Sequence, residues 1–289
     1  MRILVTGAAG QLGWELARQL SLALPGAQVV AYDRTQLDLA DVAAIARVMR
    51  EVRPEVVVNA AAYTAVDRAE SEPDLAFAIN AQAPGVFATE AKRSGALLIH
   101  YSTDYVFDGT ATTPYEESAS TNPLSVYGRS KLEGEQAVAA SGCPYLILRT
   151  SWVYGLRGKN FLLTIQRLAR ERDELRVVND QYGTPNWCGA LAQGTVDLLR
   201  RGPMELARHG GLYHFSCRGS TTWYEFARQI LGHPTKPRMI PITTSEYPLP
   251  AHRPAYAVMS TRKVEETFGL TLPRWESFPA PRAARKRWG

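Results

Sequence analysis

The chain has 289 residues, of which 45% are hydrophobic and 21% are charged. This length and composition fit a globular, enzyme-sized protein and exclude a collagen-like or disordered chain. The formal net charge is +5, but four positive charges lie close together near the C-terminus, at Arg282, Arg285, Lys286 and Arg287. The net charge thus comes largely from the tail, and no basic stripe with interleaved aromatic residues lies elsewhere in the sequence, so no nucleic-acid partner is expected.

The N-terminus and the cysteines indicate the cellular compartment. The apolar stretch within Met1–Gly7 is too short for the hydrophobic region of a signal peptide. No apolar run approaches the roughly 18 residues that a membrane-spanning helix needs. The three scattered cysteines, Cys143, Cys188 and Cys217, predict buried thiols rather than a disulfide scaffold or a Cys₄ zinc site. The sequence therefore predicts a cytoplasmic protein with no membrane partner.

The first half of the chain alternates short apolar runs with helical patterns. Continuous Val, Ile and Leu are typical of strands in a parallel sheet that is covered on both faces. Such runs predict strands at residues 2–6, 29–32, 56–60, 97–101 and 145–149. The segments between them predict helices near residues 11–23, 41–51, 73–94 and 125–141. This order predicts an α/β protein with a Rossmann-type, doubly wound parallel sheet.

After about residue 150 the pattern becomes irregular and richer in Trp, Tyr, Gly and Pro. Helices are predicted near residues 159–172, 187–201 and 222–231, with loops between them. We therefore expect residues 1–150 to form the Rossmann domain, with some later segments returning to it. Residues 151–289 are expected to form a smaller α/β domain that binds the substrate.

A glycine-rich turn follows the first predicted strand and opens the first predicted helix. Its sequence over Thr6–Gly13 is Thr-Gly-Ala-Ala-Gly-Gln-Leu-Gly. The glycines permit a tight turn close to a pyrophosphate, and the helix N-terminus offers free N–H groups. Asp33, at the end of the second strand, is placed to bind the adenosine ribose of NAD(H). The adjacent Arg34 is either a partner for the 2′-phosphate of NADP(H) or a solvent-facing loop residue, so NADPH and NADH both stay open.

The segment that begins the helix near 125–141 contains a Tyr-x-x-x-Lys pair. Spacing of four residues places Tyr127 and Lys131 on one helix face. A fixed ammonium lowers the pKa of a phenol, so Tyr127 is expected to act as a tuned general acid toward a carbonyl oxygen. Thr103 follows the fourth strand at the edge where such sheets bind ligands, and it is predicted to hydrogen-bond the reacting oxygen. The alternative for Thr103 is an ordinary turn residue.

A Thr-Gly-x-x-Gly-x-x-Gly start with a Thr, Tyr and Lys set resembles the extended short-chain dehydrogenase/reductases. Within them, the chain is similar to the reductases that complete dTDP-L-rhamnose synthesis. The most specific matches are the strings Ser-Thr-Asp-Tyr-Val-Phe-Asp-Gly at 102–109 and Arg-Thr-Ser-Trp-Val-Tyr-Gly at 149–155. The resemblance implies NAD(P)H-dependent reduction of the C4 keto group of dTDP-4-dehydro-L-rhamnose, and so a nucleotide-sugar substrate.

The resemblance also implies residue roles. Tyr127 would be the proton donor, with Lys131 as its partner. The cofactor would be bound by residues of the turn, the second strand and the central cleft, namely Gly7, Gly10, Gln11, Leu12, Gly13, Asp33, Arg34, Asp38, Leu39, Ala62, Tyr63 and Thr64. The sugar would be met by Thr103, Asp104 and Trp152, although Trp152 is also readable as a core aromatic of the second domain.

Some relatives hold Mg²⁺ between two subunits with acidic residues on two helices. Here only Glu15 matches, because Gly189, Ala190 and Leu191 supply no carboxylate. A metal site and a metal-bridged dimer are therefore not expected, while a homodimer without metal stays open. The dispersed histidines show no ligand spacing, and His100 and His214 are predicted to be core residues.

Two other functions are compatible with the same resemblance. A nucleotide-sugar epimerase or dehydratase would keep NAD⁺ tightly bound and recycle it. A non-catalytic subunit similar to the regulatory subunit of methionine adenosyltransferase would use the fold as a partner surface. The intact Thr103, Tyr127 and Lys131 set argues against the binding subunit, and Tyr105 after Asp104, where dehydratases have Glu, argues against dehydration.

Overall fold

A parallel sheet of six strands organises the computed structural model, which describes residues 1–278. The tail residues Arg282, Arg285, Lys286 and Arg287 lie outside this range. The strands are β1 (Arg2–Thr6), β2 (Gln28–Tyr32), β3 (Val56–Asn59), β4 (Leu97–Thr103), β5 (Tyr145–Thr150), β6 (Val153–Tyr154), β7 (Glu174–Val178), β8 (Tyr182–Gly183), β9 (Asn186–Trp187), β10 (Gly211–His214), β11 (Thr221–Thr222) and β12 (Arg238–Ile242). The helices are α1 (Gln11–Ala23), α2 (Val42–Val52), α3 (Val66–Ala69), α4 (Pro73–Phe77), α5 (Ala83–Ser94), α6 (Val126–Ala140), α7 (Phe161–Glu171), α8 (Cys188–Leu199), α9 (Pro203–Arg208), α10 (Trp223–Leu231) and α11 (Arg262–Phe268). No helix in residues 1–278 combines the length and the apolar character needed to cross a membrane.

The large sheet has the strand order β2-β1-β3-β4-β5-β10, and all of its pairs are parallel. The chain moves outward from β1 to β2 and then returns to β3 on the other side of β1. In open α/β sheets, ligands bind outside the carboxyl ends of the strands at such a reversal. Thr6 and Asn59, the last residues of β1 and β3, lie side by side at this point.

Both faces of the sheet are covered by helices. Ile3 and Val5 of β1 join a core shared with α1 and α8, whereas Leu4 joins the core formed with α2 and α5. Because successive strand residues point to opposite faces, an uninterrupted apolar strand is stable only between two helical layers. The predicted doubly wound, Rossmann-type sheet is confirmed.

Residues after 150 build a second apolar core and also extend the sheet. The second core lies among β7, α7 and α10 and contains Tyr154, Leu162 and Phe226. The strand β10 pairs with β5 at the edge of the large sheet, and α8 packs along α1. The chain thus returns to the sheet after its first 150 residues. The division into a cofactor domain and a substrate domain near residue 150 stays a prediction.

The segment predicted as a helix over 73–94 is helical throughout, and its middle turn is wider than an α-helical one. A π-helical turn, Ala78–Gln82, separates α4 from α5. Within this turn the Asn80 side chain bonds the backbone of Tyr63, accepting from its N–H at 2.9 Å and donating to its carbonyl at 3.0 Å. Gly134 of α6 fits against the Asn80 carbonyl, where a Cβ would come within 2.1 Å. The wide turn therefore joins the loop after β3 to α6.

Candidate active site

The glycine-rich turn between β1 and α1 has the geometry of a phosphate-binding loop. Gly7 has a φ of +73°, and its carbonyl accepts a 2.8 Å bond from the Gly10 N–H. A Cβ on Gly13 would come within 2.1 Å of the Gly7 carbonyl oxygen. No side chain caps the N-terminus of α1, so its first N–H groups face outward. These residues fit the pyrophosphate of a dinucleotide, which would be held by backbone donors at the positive end of the helix.

Gly13→Ala is expected to weaken NAD(P)H binding by roughly 10- to 100-fold, because overpacking of this kind costs about 1–3 kcal/mol. The added methyl must push the Gly7 carbonyl out of the turn. The measurement is the Kd for NADPH by fluorescence titration. Gly26→Ala is the matched control, since nothing lies within 4 Å of a Cβ at Gly26. Equal affinity in the Gly13→Ala protein would contradict this role of the turn.

The glycine turn and α6 face each other across one cavity of about 570 Å³. Most of the predicted site residues lie on its wall. They are Gly7, Gly10, Gln11, Leu12, Gly13, Arg34, Asp38, Leu39, Ala62, Tyr63, Thr64, Tyr127 and Lys131. Within the described chain, four other predicted site residues do not line this cavity, namely Asp33, Thr103, Asp104 and Trp152.

Asp33 is engaged by its own turn. Its Oδ1 accepts bonds from the Thr35 hydroxyl at 2.6 Å and the Thr35 N–H at 2.8 Å, and these bonds hold its pKa below the usual range. Arg34 instead lies on the cavity wall, with its guanidinium 3.7 Å from the Asp38 carboxylate. The Arg34 side chain is 74% exposed and can turn toward a bound group. Asp33 and Arg34 therefore both lie at the end of β2 where the adenosine ribose is expected, and the choice between NADPH and NADH stays open.

The helix α6 presents Tyr127 in its first turn. Ser125 caps the helix by accepting a 3.1 Å bond from the Gly128 N–H. Gly128 packs against the carbonyl of Tyr105, where a Cβ would come within 2.3 Å. The Tyr127 ring is buried and lies edge-on to the Tyr105 ring, with centroids 5.4 Å apart. Cap, close packing and ring contact together hold the phenol in one orientation.

The expected lowering of the Tyr127 pKa is wrong. Burial raises the pKa of Tyr127 to about 12, while a hydrogen bond with the Thr103 side chain opposes the rise and the charge of Asp104 adds to it. Desolvation of the phenolate is thus the dominant effect. The phenol stays protonated at neutral pH, which is the form that a proton donor requires.

Lys131 lies one turn further along α6, with its side chain buried. Its ammonium donates a 2.7 Å bond to the Tyr101 carbonyl and lies 3.3 Å from Nε2 of His100. Burial lowers the pKa of Lys131 to about 8, against the effect of the Glu135 charge. Within the described chain, the contacts of the ammonium are therefore with β4 rather than with Tyr127.

Thr103 and Asp104 lie next to Tyr127, at the carboxyl end of β4. The Thr103 hydroxyl donates a 3.0 Å bond to Oδ1 of Asp104. Oδ2 of Asp104 is buried and has no hydrogen-bond partner among the described residues. Burial raises the pKa of Asp104 to about 7. Asp104 therefore has an unused acceptor, but it does not line the cavity, and its contact with the sugar stays a prediction.

Trp152 has a φ of +42° and lies after β5. Its ring stacks on Trp223, with centroids 3.5 Å apart and planes 10° from parallel. Its edge fits over Gly183, where a Cβ would come within 2.5 Å. One face of Trp152 thus packs on Trp223, and contact between its other face and a sugar stays a prediction.

Residues 158–160 were not recognised in the sequence, yet they lie beside the glycine turn. Asn160 donates a 2.7 Å bond to the Gln11 side chain and caps α7 by accepting from the Leu163 N–H at 3.0 Å. Gly158 and Lys159 line the cavity. An Asn before a helix is a pattern that could have predicted the cap of α7. The bond between Asn160 and Gln11, 149 positions apart, leaves no local pattern in the sequence.

The structure gives Glu15 a partner on its own helix. Its carboxylate accepts bonds from Arg18 at 2.8 Å and from Gln19 at 3.1 Å. In residues 1–278 no group of three or more His, Cys, Asp or Glu side chains is arranged to hold a metal ion.

A phosphate-binding turn facing a buried Tyr and Lys on one helix defines an NAD(P)-dependent oxidoreductase of the extended short-chain dehydrogenase/reductase class. The family model described as the RmlD substrate binding domain matches residues 1–280. The chain therefore belongs to this family, that of the dTDP-4-dehydrorhamnose reductases.

Individual relatives resemble the chain over nearly its whole length. The dTDP-4-dehydrorhamnose reductase of Burkholderia thailandensis is 48% identical, with 95% of each chain covered. The crystal structure of the Clostridium acetobutylicum dTDP-4-dehydrorhamnose reductase is 41% identical, covers 96% of each chain and has a TM-score of 0.89. The Bacillus anthracis reductase, solved in complex with NADP, is 36% identical, covers 96% of each chain and has a TM-score of 0.88.

Proposed function

We propose that this chain catalyses the NAD(P)H-dependent reduction of the C4 keto group of dTDP-4-dehydro-L-rhamnose, giving dTDP-L-rhamnose. The observation that carries the proposal is that the glycine turn, Tyr127 and Lys131 face one cavity. A carbonyl reductase needs this combination, because the hydride of the dinucleotide must reach the carbonyl carbon while the proton donor reaches the oxygen. The choice of sugar rests on the family and on the relatives named for this substrate.

The residues divide the reaction between them. A bound NAD(P)H supplies the hydride that adds to C4. Tyr127 gives its phenolic proton to O4, which becomes the new hydroxyl, and the phenolate then recovers a proton from water. Thr103 lies next to Tyr127 at the end of β4. Its O–H, directed at Asp104 in this structure, would turn to O4, hold it beside the phenol and share its developing negative charge. Lys131 has a donor left to bind the nicotinamide ribose.

A direct assay tests this function. Dialysed protein is mixed with dTDP-4-dehydro-L-rhamnose and either NADH or NADPH, and the absorbance of the reduced nicotinamide is followed. We expect a fall that requires the sugar. No fall, under conditions in which a known reductase turns over, would contradict the proposal. In that case, cofactor absorbance that survives dialysis would indicate the epimerase or dehydratase, and a copurifying synthetase would indicate the regulatory subunit.

Arg34→Gln is expected to lower kcat/KM for NADPH by roughly tenfold, the lower end of the range for a hydrogen bond to a charged group, because the site is exposed. The value for NADH should change little, since NADH has no 2′-phosphate. The exposed Arg47→Gln serves as the control for loss of one positive charge. Equal losses with both cofactors would exclude Arg34 as the selective residue.

We infer a cytoplasmic location, a nucleotide-sugar substrate and no nucleic-acid partner from the sequence and the family. Light scattering during size-exclusion chromatography, with and without Mg²⁺, would test the homodimer and its need for metal.

A further inference from the structure

A buried histidine outside the predicted catalytic set contacts the catalytic lysine. His100, in the middle of β4, is fully buried. Its Nε2 lies 3.3 Å from the Lys131 ammonium, and its Nδ1 lies 3.1 Å from the Asn59 side-chain amide. The side-chain oxygen of Asn59 accepts a 2.6 Å bond from the Thr6 hydroxyl. A chain of side-chain contacts thus runs from the residue before the glycine turn to Lys131.

These contacts restrict the lysine. An ammonium has three N–H donors. Here one is directed to the Tyr101 carbonyl at 2.7 Å, and a second can be accepted by Nε2 of His100 at 3.3 Å when the imidazole hydrogen is on Nδ1. One donor remains, on a side chain that lines the cavity. We propose that His100 is a positioning residue that holds the Lys131 ammonium with its remaining donor directed at the ligand. This inference rests on the proposed reductase function, because it assigns Lys131 to cofactor binding.

The proton arrangement that this role requires is available. Burial and the neighbouring Lys131 charge both hold the pKa of His100 well below its usual range, so the imidazole is neutral and has one N–H. As placed, Oδ1 of Asn59 accepts from the Thr6 hydroxyl and Nδ2 faces Nδ1 of His100. Exchanging the amide oxygen and nitrogen leaves the shape of the side chain unchanged, and the oxygen can then accept the Nδ1–H of His100 while the nitrogen donates to the Thr6 hydroxyl. In this orientation Nε2 of His100 has a lone pair that accepts from Lys131.

The other charged and titratable groups near Lys131 do not replace His100. Glu135, one turn further along α6, is paired with Arg149 of β5 at 2.6 Å. Asp104 bonds Thr103, and Tyr127 stays protonated at neutral pH. His100 is thus the neutral side-chain acceptor for the ammonium in the described chain.

His100→Leu is expected to remove this acceptor and lower the Lys131 pKa further. Loss of a hydrogen bond to a charged group changes an equilibrium constant by roughly 10- to 100-fold, which for the Lys131 ammonium is a fall in pKa of about 1–2 units. The ammonium form is lost as the pH rises through the pKa of Lys131, about 8 in the unchanged protein. The alkaline fall in NADPH affinity, and that in kcat/KM, should therefore move to lower pH by this amount.

Two variants separate positioning from simple packing. His100→Gln keeps an acceptor oxygen, and its alkaline fall should lie closer to that of the unchanged protein than to that of His100→Leu. His214→Leu is the matched control, because His214 is also fully buried in the same sheet but bonds the Ser260 carbonyl at 3.2 Å, away from Lys131. It should lose stability without moving the pH profile.

The experiment measures the Kd for NADPH by fluorescence titration from pH 6 to 10, and kcat/KM over the same range, for the four proteins. An alkaline fall at the same pH in His100→Leu and the unchanged protein would overturn the proposal. So would an equal shift in His214→Leu. If His100→Leu does not fold, His100→Met replaces it, since Met adapts to irregular apolar space. An unchanged protein that binds NADPH but does not reduce the sugar would instead contradict the proposed function.

Discussion

Tyr127→Phe is expected to lower kcat by about 10²–10⁴, the range for loss of a general acid, while the Kd for NADPH changes little. The phenol is held in one orientation by the α6 cap and by the edge contact with Tyr105. Phe keeps that ring packing and removes only the O–H group. Steady-state kinetics with dTDP-4-dehydro-L-rhamnose, together with a fluorescence titration of NADPH, measure the two quantities separately.

Tyr213→Phe is a suitable control for the loss of a buried hydroxyl. The Tyr213 hydroxyl donates a 2.7 Å bond to the His209 carbonyl. Tyr213 packs on the face of the sheet opposite to α6. This variant should lose a little stability, about 1 kcal/mol for one hydrogen bond, and keep its kcat. A Tyr127→Phe protein with undiminished turnover would mean that another group protonates O4. Asp104, buried beside Tyr127 with a pKa of about 7, would then be the first residue to replace.

The sheet was predictable because its information is local. Each strand of the first half is a continuous apolar run, and this pattern follows directly from helices on both faces. The bounds agree to within one or two residues at β1, β2 and β4. The short strands β6, β8, β9 and β11 have two residues each, too few for any periodicity to show. The π-helical turn at Ala78–Gln82 contains Asn80, which bonds the backbone of Tyr63 in the loop after β3, and helical periodicity does not reveal such a contact.

The site was predictable to the same extent. The glycine turn and the Tyr-x-x-x-Lys pair are local patterns, and the structure places both on one cavity. The pKa of Tyr127 was not predictable, because helical spacing gives the position of Lys131 along the chain but not how deeply the phenol is buried. The role of His100 was hidden for a similar reason. A histidine inside an apolar strand is typical of a core residue, and only the packing of α6 on β4 shows that it contacts Lys131.

Loss of the buried cation Arg149 should lower the free energy of unfolding more than loss of an exposed cation does. Arg149→Met is expected to lower the free energy of unfolding by about 3–5 kcal/mol, the usual effect of breaking a buried ion pair from one side. Arg149 and Glu135 are only 3% and 4% exposed, and they form two bonds of 2.9 and 2.6 Å. The Ser102 hydroxyl also donates to Glu135 at 2.5 Å. Without Arg149, the buried Glu135 carboxylate loses its cationic partner and keeps the Ser102 hydroxyl as a donor.

Urea unfolding at neutral pH measures this change, and a double variant identifies its cause. Arg149→Met combined with Glu135→Met should recover much of the loss, because no uncompensated charge then remains buried. Arg176→Met is the surface comparison. It breaks a pair with Glu246 in which both side chains are about half exposed, so water screens the charges and the free energy of unfolding should change far less. If the double variant were as unstable as Arg149→Met alone, the loss would come from packing, including the contact of the guanidinium over the Phe107 ring at 5.1 Å. The ion pair fixes α6 to β5, and the Ser102 bond fixes α6 to β4. Because Ser102 precedes Thr103 on β4 and Glu135 lies one turn beyond Lys131 on α6, these contacts hold α6 against the sheet at the level of the catalytic groups.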